Sequence, residues 1–474
     1  MKEKKESVPF IKLIRTVKGC YLYDVNKNEV IHINEESYIY LENILMDQQV
    51  KCIPEEVREL EQKGFLSGKR AGRIEHSMTP FLPVLLQRRL QKVTLQLTQD
   101  CNFRCKYCHY TMNDGSQRVH SNKNMSFDMI KKGILFLREH SVDSPEVYIG
   151  FYGGEPLLKF EMLKEAVLYS QKVFHGKKIN YTVTTNATLI TEEIITFFER
   201  YEIQMVISLD GAKEIHDKNR VFANGHGTFE SVIEKVEFIK KHHPAFFKLL
   251  SFNMVIDPQY DYGKIDDLFN QYPYLKKCTM TATIIDDISI HKNKYSKEYL
   301  SKVAYKEFLA YLCVLNRIPV KKLDPVTRSK AVGIQKTLSD LQPRDGLGES
   351  EAPGGPCVPG EVRLMLTVEG NFVVCERVNE ISDCMILGNI EQGIDIEKAN
   401  ALLNVAQITQ ENCQNCWAFW GCDLCAKFSE SQGKLSESQR LSQCKRSRSQ
   451  FLNSIKEKIL MTEAQETYGQ RVNL

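Results

Sequence analysis

The run VTLQL at residues 93–97 passes directly into TQDCNFRCKYCHY at residues 98–110, so an apolar strand pattern empties into a loop carrying Cys101, Cys105 and Cys108. The spacing Cys-x3-Cys-x2-Cys gathers three thiols on one short loop. Thiolates are soft ligands that suit iron-sulfur clusters, and three of them on a 4Fe-4S cluster leave one iron without a protein ligand. An open iron can take a small bidentate molecule, which points to catalysis rather than electron storage. A zinc knuckle completed by His109 is the plainer alternative at this spacing.

Outward from this loop, residues 92–315 repeat the same pattern. Apolar runs EVYIGF, NYTVTT, QMVISL, LLSFNMV and TMTATII follow VTLQL, with amphipathic stretches between them. Six such repeats predict parallel βα units, whose working loops lie at the carboxyl ends of the strands. Cys101, Gly153, Asn186 and Asp210 all follow such ends.

The flanks differ. Residues 10–33 hold short β-prone runs, FIKLIRTV, CYLYDV and VIHI, with Asn26-Lys27-Asn28 as a turn signal. Asn34 is placed to cap a helix through SYIYLENIL, and Pro54 to open another through EEVRELEQK that stops near Gly64. Within 321–356 the stretch LQPRDGLGESEAPGGP reads as a linker or long loop. A cysteine-rich region follows, with eight cysteines from Cys357 to Cys444. The domains expected are 1–85, 86–320 and 321–474.

With 474 residues, 42% hydrophobic and 26% charged, the chain is of ordinary globular composition and long enough for several domains. A net charge of +3, with Lys and Arg spread along the chain, gives no footprint for nucleic acid. The charged start MKEKKESVPF lacks a signal peptide's apolar stretch and no run is long enough to span a membrane, so no membrane association and a cytoplasmic location are expected. Fifteen cysteines in such a chain argue for metal rather than disulfides. Cys20, Cys52, Cys278 and Cys313, in apolar or helical contexts, are expected as buried inert thiols, and the run Trp417 to Trp420 as core.

The loop from Cys101 to Cys108, with Tyr107 before its last cysteine, resembles the cluster loop of the radical S-adenosylmethionine (SAM) superfamily. The resemblance runs on through the βα region. Gly153-Gly154-Glu155-Pro156 looks like the segment that binds the SAM amino group, with Glu155 offering an anion to an ammonium. TTNATL and SLDG match positions that place Thr184, Asn186, Ser208 and Asp210 along the SAM site. Arg220, in HDKNR, falls where a basic residue often faces the SAM carboxylate. Cap, turn and surface chemistry are the ordinary roles of these five residues.

Cys357-x12-Gly370-x4-Cys375, then CQNCWAFWGCDLC at residues 413–425 and finally Cys444, resembles the seven-cysteine SPASM extension, which carries two auxiliary 4Fe-4S clusters. The x2 gap between Cys422 and Cys425 departs from the usual x3. The resemblance assigns Cys413, Cys416, Cys422 and Cys444 to an outer cluster and Cys357, Cys375 and Cys425 to an inner one. Cys384 or an open site supplies the remaining place. A zinc ribbon is the alternative.

The N-terminal segment resembles the small winged-helix unit that binds a leader peptide along a strand edge in enzymes modifying ribosomally made peptides. Together these likenesses imply an α/β fold, a partial (β/α)6 TIM-like barrel between a leader-binding domain and a SPASM domain. They imply three 4Fe-4S clusters, SAM, a precursor peptide with a leader, and a flavodoxin- or ferredoxin-type reductant. The activity implied is reductive SAM cleavage, with a 5'-deoxyadenosyl radical used to install thioether crosslinks in a cysteine-containing peptide. Formylglycine formation of the sulfatase type, peptide carbon-carbon crosslinking, dehydrogenation, and a non-catalytic metal-binding role stay open. No catalytic acid or base is identifiable.

Overall fold

A computed structural model describes residues 8–50, 52–111, 117–285 and 294–468. Six parallel strands form its centre: β4 Lys92–Thr98, β5 Glu146–Gly153, β6 Lys178–Thr185, β7 Gln204–Ser208, β8 Ser251–Ile256 and β9 Thr279–Ile284. They lie side by side in sequence order, as the βα repeats predict. Val93, Leu95 and Leu97 of β4 and Val147, Ile149 and Phe151 of β5 are buried, and Val93 stands beside Ile149 and Leu95 beside Phe151. The helices between start where the sequence offers a cap: Ser126 accepts the Met129 amide and Thr191 the Ile194 amide.

The sheet does not stop at β4. The strands β10 Leu364–Leu366, β11 Asn371–Val373, β12 Ile386–Asn389 and β13 Gly393–Ile394 extend it to ten. β10 runs parallel to β4, and the rest are antiparallel. One continuous apolar core therefore spans the barrel and the segment from Leu364 to Ala426.

The N-terminal sheet, β1 Ile11–Arg15, β2 Cys20–Asp24 and β3 Glu29–Ile33, is followed by helices Glu35–Leu45 and Glu55–Gln62. Asn34 caps the first through the Ser37 amide, Pro54 precedes the second, and Gly64 follows it with φ +80°. One face of this sheet packs on its own helices through Leu22, Ile33, Leu41 and Val57. The other packs through Phe10, Tyr23 and Val25 on Phe419, Phe451 and Ile455. The barrel is thus not sandwiched between the two flanking units, because the N-terminal sheet shares a core with the cysteine-rich region.

The glycine- and proline-rich stretch is a strap over that junction. Arg344 N donates to the Lys27 carbonyl at 2.8 Å and Leu347 N to Asn26 Oδ1 at 3.2 Å. Before it, the helix Pro325–Asp340 fills the region next to the barrel. Of the four remaining thiols, Cys20 and Cys278 are buried and Cys313 partly so, whereas Cys52 is exposed. Cys52 corrects the expectation of a buried thiol: it precedes the helix Glu55–Gln62 rather than lying inside it.

Candidate active site: a cysteine loop at the mouth of the barrel

The loop after β4 is pinned from two sides. On one, Gly154 N donates to the Thr98 carbonyl and Glu155 N to the Asp100 carbonyl, both at 2.9 Å. A Cβ on Gly153 would lie 2.3 Å from Thr98 O and one on Gly154 1.9 Å from Asp100 O. These glycines are therefore required by the chain's own loop crossing over them. On the other side, Arg104 N donates to the Val221 carbonyl and Lys106 N to the Asn219 carbonyl, each at 2.8 Å. Phe103 and Phe222 close that seam edge to face.

Held this way, Cys101, Cys105 and Cys108 influence one another electrostatically. Burial pushes the Cys101 thiol up to about 12, with Glu155, Cys105 and Cys108 adding to it. Burial likewise raises Cys105 to about 11, while the Arg220 charge pulls it back toward thiolate. Phe103 N lies 3.4 Å from Cys101 Sγ, within reach of an N–H···S bond. Soft, half-buried thiols that must lose protons to bind suit an iron-sulfur cluster whose metal repays the deprotonation.

The Glu155 carboxylate is engaged by donors of the protein itself. It is 1% exposed, and its oxygens accept from Leu157 N (3.0 Å), Thr185 Oγ1 (2.7 Å) and Asn186 N (2.8 Å). Its carboxylate ties β5 to β6, and burial lifts its pKa to about 7. Pro156 opens the short helix Pro156–Lys159 that Glu155 caps. Asn186 reaches back to the cysteine loop, its Nδ2 donating to Asn102 Oδ1 at 2.7 Å. Thr184 is partly buried near the end of β6, and Ser208 is buried at the end of β7.

Asp210 and Arg220 form a buried ion pair, Arg220 Nε donating to Asp210 Oδ2 at 2.8 Å. Tyr107 Oη donates to the same oxygen, and the Arg220 guanidinium lies 5.4 Å from the Tyr107 ring. Val255 N donates to Asp210 Oδ1 at 2.9 Å. Sequence reasoning missed the residue that braces this set. His216, 0% exposed, accepts the Asp210 amide on Nδ1 (3.3 Å) and donates from Nε2 to Thr228 Oγ1 (2.9 Å). Thr228 in turn donates to the Arg220 carbonyl.

A second pair was also missed. Arg118, beyond the cysteine loop, is paired with Glu380, which follows Cys375. Both are buried, Gln96 of β4 donates to Glu380, and the Arg118 guanidinium lies 3.6 Å from the Tyr110 ring centre. The pair links the barrel's cysteine loop to the second cysteine region.

In that region the cysteines fall into two groups. Burial raises Cys375 to about 11, with Glu376, Cys357 and Cys425 adding to it, and Cys357 is raised by burial and then by Cys425. Cys416, pushed up to about 11 by burial, senses Cys422 and Cys413. Cys422 and Cys444 both sense Cys413. Cys384 sits elsewhere, 3.4 Å from Ser382 Oγ, with Glu430 and Asp383 as its charged neighbours. Among the described residues no three His, Cys, Asp or Glu side chains close on a single ion; the thiols are gathered, not drawn tight.

Residues 95–271 match the family described as Radical SAM superfamily. The chain is similar to a serine-type anaerobic sulfatase-maturating enzyme of Bacteroides thetaiotaomicron, 30% identical over 30% of this chain and 34% of the relative. It is similar to a cysteine-type enzyme of the same description from Clostridium perfringens, 25% identical over 70% of this chain and 88% of the relative. The first curated relatives are matched over about half of their length or less, 51%, 34% and 39%. A solved structure described as native anSMEcpe with bound AdoMet covers 77% of this chain and 98% of its own at 20% identity, with a TM-score of 0.56. It shares the fold. No helix among the described residues is long and apolar enough to cross a membrane.

Proposed function

We propose that the chain is a radical SAM enzyme that reductively cleaves SAM and installs thioether crosslinks in a ribosomally made, cysteine-containing precursor peptide. When bound, a cluster on Cys101, Cys105 and Cys108 supplies the electron for SAM cleavage. Tyr107, Gly153, Gly154, Glu155, Pro156, Thr184, Asn186, Ser208, Asp210 and Arg220 line or shape the SAM pocket, and Glu155 also holds the loop ends that form it. Auxiliary clusters belong to Cys413, Cys416, Cys422 and Cys444 and to Cys357, Cys375 and Cys425, with the unit boundaries near residues 85 and 320. A flavodoxin- or ferredoxin-type protein is the reductant.

The observation that carries the crosslinking reading is the three-cysteine inner group, with Cys384 turned toward Ser382 and Glu430 instead. A group of three leaves a ligand position, and a peptide thiol is the chemistry that would fill it. The test is Cys375→Ala. Deoxyadenosine should still form at a reduced rate while the peptide keeps free thiols; a folded variant without that cluster that still crosslinks at the wild-type rate refutes the reading.

Leader recognition is proposed for β3, which among the described residues is an edge strand paired only with β2. Adding a strand there needs no sequence-specific contact. Leader peptide should protect the Glu29–Ile33 amides from hydrogen exchange, and unchanged exchange at saturating leader argues that the sheet is only structural. Formylglycine formation is the second reading, favoured by the match over 88% of the Clostridium perfringens relative. Mass spectrometry of a sulfatase peptide after reaction separates the two.

A further inference from the structure

Arg440 is the largest side chain sealed within the molecule, 1% exposed on the helix Glu437–Tyr468. Its guanidinium touches neutral oxygens. Nε donates to Thr409 Oγ1 at 3.2 Å, and Nη1 to the Leu424 carbonyl at 3.0 Å and to Ser429 Oγ at 3.3 Å. Nη2 is buried without a hydrogen-bond partner. Among the described residues no carboxylate pairs with it.

A guanidinium does not give up its proton in a protein. A buried, permanent positive charge facing neutral oxygens is strongly unfavourable unless a negative charge lies close. The groups beside Arg440 are thiols. Leu424, whose carbonyl accepts from Nη1, lies between Cys422 and Cys425 in the chain, and Cys444 follows Arg440 by one turn of the same helix. Thr409 Oγ1, which accepts from its Nε, is also 3.3 Å from Cys413 Sγ. Cys444 Sγ lies 3.8 Å from the Arg440 carbonyl oxygen. Arg448, two turns further along the same helix, is exposed and screened by water.

We infer that Arg440 is the buried counter-ion of the iron-sulfur cluster held by Cys413, Cys416, Cys422 and Cys444, its charge offset by the net negative charge of four thiolates around the cluster. This rests on the reading of those four cysteines as a cluster site. Arg440 is then a positioning residue: it stabilises the loaded site and sets its potential without touching substrate. Nearby positive charge favours the reduced, more negative cluster, so removing it must lower the potential.

The test uses the reconstituted enzyme and three variants. Arg440→Met fills the same space without charge, Arg440→Lys keeps the charge, and Cys413→Ala/Cys416→Ala removes the cluster site. In Arg440→Met, a chelator should strip one cluster's worth of iron about tenfold faster than from wild type, the loss of a charge-assisted interaction. One reduction midpoint should also move to a more negative value. Arg440→Lys should recover most of both. If Cys413→Ala/Cys416→Ala keeps full iron, the cluster assignment fails and takes the inference with it. If that variant loses a cluster while Arg440→Met releases iron and titrates like wild type, Arg440 is a packing residue and only the inference falls. Should Arg440→Met not fold, Arg440→Gln, which also removes the charge, takes its place, and wild-type iron release with an unshifted midpoint in that variant gives the same refutation.

Discussion

The Glu155 carboxylate accepts the Asn186 amide at 2.8 Å, tying the end of one barrel strand to the end of the next. Leu157 N and Thr185 Oγ1 donate to the same carboxyl group. In Glu155→Gln an amide NH2 replaces one acceptor and faces a donor. The expected cost is about 1–3 kcal/mol of stability, together with weaker SAM binding. Calorimetric melting and equilibrium binding of SAM check it; wild-type values for both would show that Glu155 does not hold the pocket.

Gly154→Ala places a methyl group on the Asp100 carbonyl, and the obstruction is backbone. The cysteine loop must shift, so the variant should lose most iron at the first cluster and most deoxyadenosine formation. Gly333→Ala is the control. Gly333 lies inside the helix Pro325–Asp340 with nothing within 4 Å of its added Cβ, and the variant should gain about 0.5–1 kcal/mol. Equal behaviour of the two would remove the steric argument for the glycine pair.

His216 gives the fold an acid-side weakness. Burial holds its pKa at about 4 against an ordinary 6.5. Between these values the unfolded chain takes up a proton that the folded chain refuses, so the stabilisation is complete above pH 6.5 and is lost as pH falls toward 4. The loss amounts to at most about 3 kcal/mol. Melting of wild type and His216→Asn at pH 7.5 and pH 5 should show a smaller acid-side drop in the variant. A parallel drop would mean that another group titrates.

Cys384 is the companion of the seven cysteines that fall into groups. Its neighbours are Ser382, Glu430 and Asp383, so Cys384→Ala should keep full iron and full activity. A loss of iron on quantitation would make Cys384 the missing ligand of the inner group.

The six barrel strands were legible because each is an apolar run between amphipathic periods, and the N-terminal helices because Asn34 and Pro54 mark their starts. The clustering of cysteines along the chain was legible from spacing, whereas their division into an inner and an outer group came from the likeness to the SPASM extension. The packing of Val25 on Trp420, whose indole donates to the Val25 carbonyl at 2.8 Å, was not, since 395 residues separate them and no local pattern records the contact. Arg118, Glu380 and Arg440 were missed for a related reason: a charged residue in sequence reads as surface, and only the fold reveals that its surroundings are dry. The GGEP segment was found by resemblance, but its glycines answer to the crossing cysteine loop and its glutamate to backbone and hydroxyl donors.

Cys101, Cys105 and Cys108 are the proposed ligands of the cluster that cleaves SAM. Replacing all three with Ala, then counting iron and assaying 5'-deoxyadenosine under reducing anaerobic conditions, tests this assignment directly. The triple variant should lose about four irons per chain, one 4Fe-4S cluster, and form no deoxyadenosine. Continued deoxyadenosine formation by the folded triple variant would contradict it.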